Sequence, residues 1–512
     1  MPAFAFAILL FGCVPTPDGD PGVDPDDCPV VTWDEPVTTQ VETLVSDPPL
    51  SWPLDLTPGL PEGLAIAVDL GLGGYGVDEP DVRILRDELM PGSPGGSGPD
   101  RRSVFMMLHE TDAQIADTES PTRMVGADNR TALTAAVRPQ ELYAIHGLDA
   151  LIRSANALSA HAPIDFALTT GDNADSTQGN EVRWFNAVWD GIPIHPDSGD
   201  PDSQVDADCN DPLAPFEPVG ADFPWYAVPG NHDVLVQGNF LPGLWDETAL
   251  KSDAAMGTRD WSLPGGPIAF TTPPDPERAL VDRSELAALH LDSPAIPGPV
   301  GHGFTADNVS TGTLDWVAHP VPGVALVAVD VTPDGRGSPV LRASTRDDFL
   351  LPALEDAANA GEVVVLTSHY ALIGCAVEDG GTLDELVAGY PQVVLSIAGH
   401  YHENRIRSSG TFWEIQTAAT IDWPGQGRLI ELVDNGDQTA SILTTLFDPV
   451  APEGSMAARH RTLSLIDAQS GWVSGDDRVG EPKDRNTELL IALPDSWSGG
   501  VGTAGVRTED LP

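Results

Sequence analysis

An α/β fold is predicted for this 512-residue chain, and three observations predict it. From Ser103 onward, short apolar runs alternate with stretches whose apolar residues recur at helical spacing. The runs are compact, as in Val104 to Leu108, which suits strands buried within a sheet. Five of these runs are followed by polar clusters rich in Asp, Asn and His, the place where loops leave a sheet and project into a cleft.

Taken in order, the first segment reads as export. Ala3 to Phe11 is a short apolar run ending in Leu10-Phe11-Gly12-Cys13, similar to a bacterial lipobox in which Cys13 is acylated and attaches the chain to a membrane. No Lys or Arg precedes the run and Phe11 is bulky beside the cleavage point, so plain secretion, an uncleaved anchor or a cytosolic protein stay open. Residues 1–13 are thus a signal segment, and 14–28, rich in Pro, Asp and Gly, a solvated tether. Residues 29–102 alternate β-like runs (Val30 to Trp33, Val37 to Val45, Leu64 to Val68) with Pro/Gly turns and read as an N-terminal β-rich extension.

The main domain is placed at 103–450. Val104 to Leu108 is its first strand, Arg138 to Ala160 a helix, Phe166 to Thr169 a strand and Glu181 to Trp189 a second helix. Residues 191–222 form a Pro/Asp/Gly-rich insertion. Phe223 to Val228 is the next strand. An irregular insertion at 238–310 has the length of a lid or substrate-shaping loop. The sheet resumes at Val324 to Val329, Val363 to Leu366, Val393 to Ala398 and Arg428 to Val433, with a helix at Arg346 to Ala360. The 451–512 extension holds β-like pieces at Leu463 to Ile466 and Leu489 to Leu493 and suggests no role.

Composition narrows the partners. The formal charge is −53, and Lys251 and Lys483 are the only lysines. Such a surface repels nucleic-acid backbones and anionic lipid, so neither is expected as a bulk partner. An anionic substrate then needs local positive charge, such as bound metal. Cysteine spacing suggests neither zinc nor a disulfide framework; if Cys13 is lipidated, Cys28, Cys209 and Cys375 remain and their pairing is open.

The chemistry sits in the polar clusters: Thr111-Asp112-Ala113-Gln114, Thr170-Gly171-Asp172-Asn173-Ala174-Asp175, Gly230-Asn231-His232-Asp233, Ser368-His369-Tyr370 and Gly399-His400-Tyr401-His402. Any one alone is an ordinary turn. Together, at the carboxyl edges of strands, they converge on one crevice. Carboxylate, amide and imidazole donors gathered there suit two divalent or trivalent transition ions such as Mn, Fe or Zn. Asn231 offers a carbonyl oxygen, His232 a proton for a leaving group, and Asp233 a fix on the ring's tautomer.

In that order the clusters resemble the calcineurin-like metallophosphoesterase superfamily, over roughly Val104 to Asn404, and more closely a bacterial branch with Asp-x-Gln in the first motif. The resemblance implies a four-layer α/β/β/α metallophosphoesterase sandwich. It implies that Asp112 and His402 hold one ion, that Asn231, His369 and His400 hold the other, and that Asp172 bridges them. A bridging hydroxide then attacks phosphorus in line while His232 protonates the leaving group. Small-molecule or lipid phosphomonoesters or phosphodiesters are the implied substrates. Gln114 departs from the superfamily's usual His and is either a weaker ligand or acts through water, and Asp175 replaces the tyrosine of the purple acid phosphatases. An inactive surface binding protein that keeps the fold is the main rival reading, and a structural envelope lipoprotein whose His and Asp residues are incidental is the second.

Arg123 and Arg405 are candidates for bidentate contacts to substrate phosphate oxygens. His109 reads as a core or edge histidine, His302 as solvent-facing or structural, and Trp184, Phe185 and Trp189 as core.

Overall fold

The structure, a computed structural model, describes residues 31–47, 57–96, 98–128, 136–200, 203, 211–263, 265–294, 296–470, 478–497, 499 and 501–512. Cys13, the 14–28 tether, Cys28 and Cys209 lie outside the described residues; Cys375 is a buried free thiol.

The chain is mixed α/β, as its alternation predicts. One sheet is built around Arg102–Glu110, which runs parallel to Phe166–Thr169, itself parallel to Trp225–Ala227. On its other flank Arg102–Glu110 is antiparallel to Gly427–Asp434, and Thr439–Phe447, Thr487–Ala492 and Ile84–Arg86 follow outward. The second sheet sets Val324–Ala328, Val363–Thr367, Val393–Ala398 and Trp413–Gln416 in parallel, with antiparallel edges at Trp316–Ala318 and Arg405–Ser408.

Strand periodicity decides how these sheets pack. Side chains alternate across a strand, so Val324, Leu326 and Ala328 join a core shared with Phe105, Met107 and Leu432 of the first sheet. Ala325 and Val327 face the other way, onto Leu350, Leu354 and Ala357, the last two from the helix Leu351–Ala360. The helix Ala144–His161 buries Leu148, Leu151, Ile152, Ala155 and Leu158, an i, i+3, i+4, i+7 stripe. Gly179–Asp190 buries Trp184, Phe185 and Trp189 in the same core and stops at Gly191, which takes the left-handed conformation.

Three expectations need correction. Leu64 to Val68 lies in a helix, Pro61–Asp69, not a strand. Leu463 to Ile466 lies in the helix Met456–Ser470, and the two helices pack on each other through Ala67, Leu463 and Ile466. The 238–310 insertion is not wholly irregular: it carries a hairpin, Asp253–Arg259 with Ile268–Thr271, and helices at Arg283–Asp292 and Ala306–Thr311. The C-terminal extension also gains a structural part, since Thr487–Ala492 adds a strand to the first sheet.

Candidate metal centre

The loops leaving six parallel strands, three in each sheet, are stitched into one site by backbone hydrogen bonds. Asp112 N donates to Gly171 O (3.0 Å), Gln114 N to Asp172 O (2.8 Å), Gly399 N to His369 O (2.9 Å) and Ile421 N to Asp112 O (3.2 Å). Close approach demands glycine at two motif positions. A Cβ at Gly230 would stand 2.1 Å from Asp172 Oδ1, and one at Gly399 would stand 2.0 Å from Thr111 Oγ1. Asp112, Gln114, Asp172, His400 and His402 all adopt positive φ between 43° and 70°. Strain of this kind costs of order 1–3 kcal/mol per residue and collects at functional sites.

Two imidazoles organise the centre. His369 Nδ1 donates to Thr170 O (2.8 Å), which turns Nε2 toward Asn231 Oδ1 (3.0 Å), Asp172 Oδ2 (3.1 Å) and His400 Nδ1 (3.2 Å). His402 Nδ1 donates to Asp422 Oδ2 (2.6 Å), which turns Nε2 toward Asp112 Oδ1 at 3.1 Å. Carbonyl or carboxylate partners on the far nitrogen are what orient metal-binding histidines. In each case lone pairs point at lone pairs, an arrangement that only a cation or a proton relieves. Asp112 Oδ1 and Gln114 Oε1 are buried acceptors without a hydrogen-bond donor, although Asp112 Oδ1 lies within ion-pair distance of His402. The two facts agree once the His402 proton is on Nδ1. Asp172, His369 and His400 offer donor atoms all within 4.8 Å of one another.

The electrostatics match. Burial alone pushes the Asp172 carboxyl up, yet His369, His232 and His400 outweigh it and hold it well below the usual carboxylate range. Burial opposes protonation of His369, but Asp172 drives its pKa up to about 9. His402 is likewise raised, against burial, by Asp112 and then Asp422. Burial and the neighbouring His369 push His400 down to about 3. The site holds positive charge, which protons supply when no metal does. A set of carboxylate, amide and oriented imidazole donors, two of its oxygens lacking donors, therefore suits metal binding.

His232 stands at the edge of this set. Its N–H donates to Asp172 Oδ1 (2.7 Å), its Nδ1 meets Asp175 O (2.7 Å), and its Nε2 is 4.0 Å from Asp172 Oδ2. Burial opposes its protonation; Asp172 and Asp175 nonetheless raise its pKa to about 9. The tautomer assignment to Asp233 is corrected here. Asp233 faces the backbone, accepting from Gly230 N (2.7 Å), Ala174 N (2.9 Å) and Asn173 N (3.0 Å), whereas Asp175 holds the ring.

The Arg123 assignment changes too. Arg123 is 1% exposed and spent on Asp175, Glu141 (2.6 Å) and Ala136 O (2.8 Å), which leaves nothing for a substrate. Arg405 is exposed and paired with Glu403 at 3.0 Å. Gln114 Nε2 lies 3.5 Å from Asp172 Oδ2. His109 is a core histidine between Thr170 and Thr417, and His302 is buried and stacked on Trp225 at 3.5 Å. Sequence reasoning missed Asp422, which follows the strand Trp413–Gln416, a strand it did not mark.

No family model matches the chain, and no curated protein matches it. Among solved structures, the chain is similar to GAP50, the anchor in the inner membrane complex of Plasmodium. That likeness has 11% identity and a TM-score of 0.26, covering 77% of this chain and 99% of that one. A Staphylococcus aureus protein assigned as a 5'-nucleotidase, solved with alpha-ketoglutarate, has 11% identity and a TM-score of 0.29, covering 70% of this chain and 58% of its own. Scores this low establish no shared function, so the functional reading rests on the site's own geometry.

Proposed function

We propose that the chain is an exported phosphoesterase, built on a layered α/β/β/α sandwich, that hydrolyses phosphomonoesters or phosphodiesters with two metal ions. The observation that carries this is the pair of imidazoles, His369 and His402, each tied through Nδ1 and aiming Nε2 at a buried carboxylate. Asp112, His402 and Gln114 Oε1 would hold one ion, Asn231, His369 and His400 the other, with Asp172 between. When bound, such a pair supplies Lewis acidity toward phosphoryl oxygens and a nucleophile from water at neutral pH.

The chain's own residues do the rest. His232, fixed through Nδ1 by the Asp175 main-chain carbonyl, would present Nε2 to the leaving alkoxide and hand it a proton. Asp233 keeps the Asp172 and Asn231 loops in register by accepting three of their backbone N–H groups. A small-molecule or lipid ester suits a chain of this charge better than a nucleic acid.

Gln114 favours one second reading, a binding protein that holds metal without turnover, because an amide oxygen is a weaker ligand than imidazole. The test is to load the purified full chain separately with Mn, Fe and Zn and assay an aryl phosphate and a bis-aryl phosphate. Turnover that a chelator removes supports the hydrolase. Uptake of metal without turnover supports the binding protein, and no uptake rejects both.

A further inference from the structure

Two arginines frame Asp175, and they differ in one respect. Arg123 has its hydrogen-bonding groups committed, as described above. Arg138 is 5% exposed, yet its Nε and Nη1 are buried without a hydrogen-bond partner. Nη1 stands 4.0 Å from Asp175 Oδ1, and Nε stands 3.4 Å from Asp422 Oδ1. Those two residues hold the two functional rings: His232 Nδ1 bonds the Asp175 main-chain carbonyl at 2.7 Å with Asp175 Oδ1 behind it at 3.4 Å, and His402 Nδ1 bonds Asp422 Oδ2 at 2.6 Å.

We propose that Arg138 is a positioning residue, one guanidinium shared between the side chain of Asp175, whose backbone carbonyl orients His232, and the Asp422 carboxylate that orients His402. The inference rests on the hydrolase reading and adds a link between its proton donor and one of its metal ligands.

Sharing is visible in how each carboxylate divides its oxygens. Asp175 gives Oδ2 to Arg123 and keeps Oδ1 between His232 and Arg138. Asp422 gives Oδ2 to His402 and Arg478, and Oδ1 to Gln140 Nε2 (3.0 Å) and Arg138. Standing back from both, Arg138 keeps both charged and turned toward the rings. Its backbone is pinned by Arg138 N donating to Glu141 Oε1 (2.7 Å), the same oxygen that receives Arg123. Glu141 and Asp467 are the other charged groups acting on it.

The test compares wild type, Arg138→Gln and Arg138→Lys in the full chain, with Arg153→Gln as a control away from the site. In the metal-free protein with 15N-labelled histidine, Arg138→Gln should shift the Nδ1 resonances of both His232 and His402, and Arg153→Gln should shift neither. With Mn added, Arg138→Gln should lose roughly ten- to a hundredfold in affinity for one ion. Its rate loss on aryl phosphates should grow as the leaving group becomes more basic, and Arg138→Lys should recover part of both. Movement of one ring alone, or of neither, overturns the proposal, as does a rate loss equal for every leaving group. Wild-type protein that takes up no metal and hydrolyses no ester would sink the hydrolase reading instead; the ring resonances would still decide whether Arg138 joins the two histidines.

Discussion

Asp112 Oδ1 and His402 Nε2 stand 3.1 Å apart in a buried pocket, and the proton of the ring is committed on its other side to Asp422. His369 faces Asp172 in the same way, with its other nitrogen on Thr170 O. Each pair is a gap that positive charge must fill.

Metal uptake should therefore release protons. His369 keeps its proton up to about pH 9 in the metal-free chain, and a ligand ring must be neutral. Below that pH the affinity of its site should rise about tenfold per pH unit, levelling off near pH 9. Calorimetry in two buffers of different ionisation enthalpy measures the protons released. A binding enthalpy independent of buffer would contradict this.

Asp172→Asn keeps the shape of the side chain and removes its charge. Turnover should fall by more than about a hundredfold while the circular dichroism spectrum is unchanged, because the loops around it are held by backbone bonds. Activity retained with both ions bound would remove Asp172 from between them.

His232→Ala and Asp233→Asn should fail differently. The first should cost about 10²–10⁴-fold on esters with basic leaving groups and much less on activated ones. The second puts an NH2 group where a carboxylate oxygen accepts from backbone N–H groups, so it should lower stability by about 1–3 kcal/mol with no dependence on the leaving group. Urea unfolding beside a leaving-group series separates the two.

What the sequence disclosed and what it hid follow from how far each signal reaches along the chain. Asp112, Asp172, Asn231, His369, His400 and His402 lie directly after buried apolar runs, so alternation plus residue type was enough to place them together. Arg138 and Asp422 act across distances of tens to hundreds of residues, through contacts that no local pattern encodes. Asp233 was given the ring of His232 because it is adjacent in sequence, yet the turn sends its carboxylate into the backbone and brings Asp175 to the ring instead. Leu64 to Val68 read as a strand because it is short and apolar; Pro61 at the first turn with Glu62 after it is the helix start that outweighed this. Leu463 to Ile466 misled for the same reason, and its partner across the interface is that first helix.

Acid should destabilise the fold through His302. Burial holds its pKa down to about 4, below the 6.5 of the unfolded chain. Between those values the unfolded state binds more protons, so stability is lost as pH falls through 6.5 toward 4. The ring is fully buried, and its share of the loss from pH 7 to pH 5 is about 2 kcal/mol. Urea midpoints at the two pH values should converge in His302→Gln relative to wild type. An unchanged gap would show that other groups govern the acid limit.

The central claim, two cations caged by side chains from both sheets, is tested most directly by anomalous diffraction from crystals grown with Mn. Two peaks about 3.5–4 Å apart are predicted, one touching Asp112 and His402, the other Asn231, His369 and His400, with Asp172 touching both. A single peak, or none at these residues in metal-loaded protein, would contradict it.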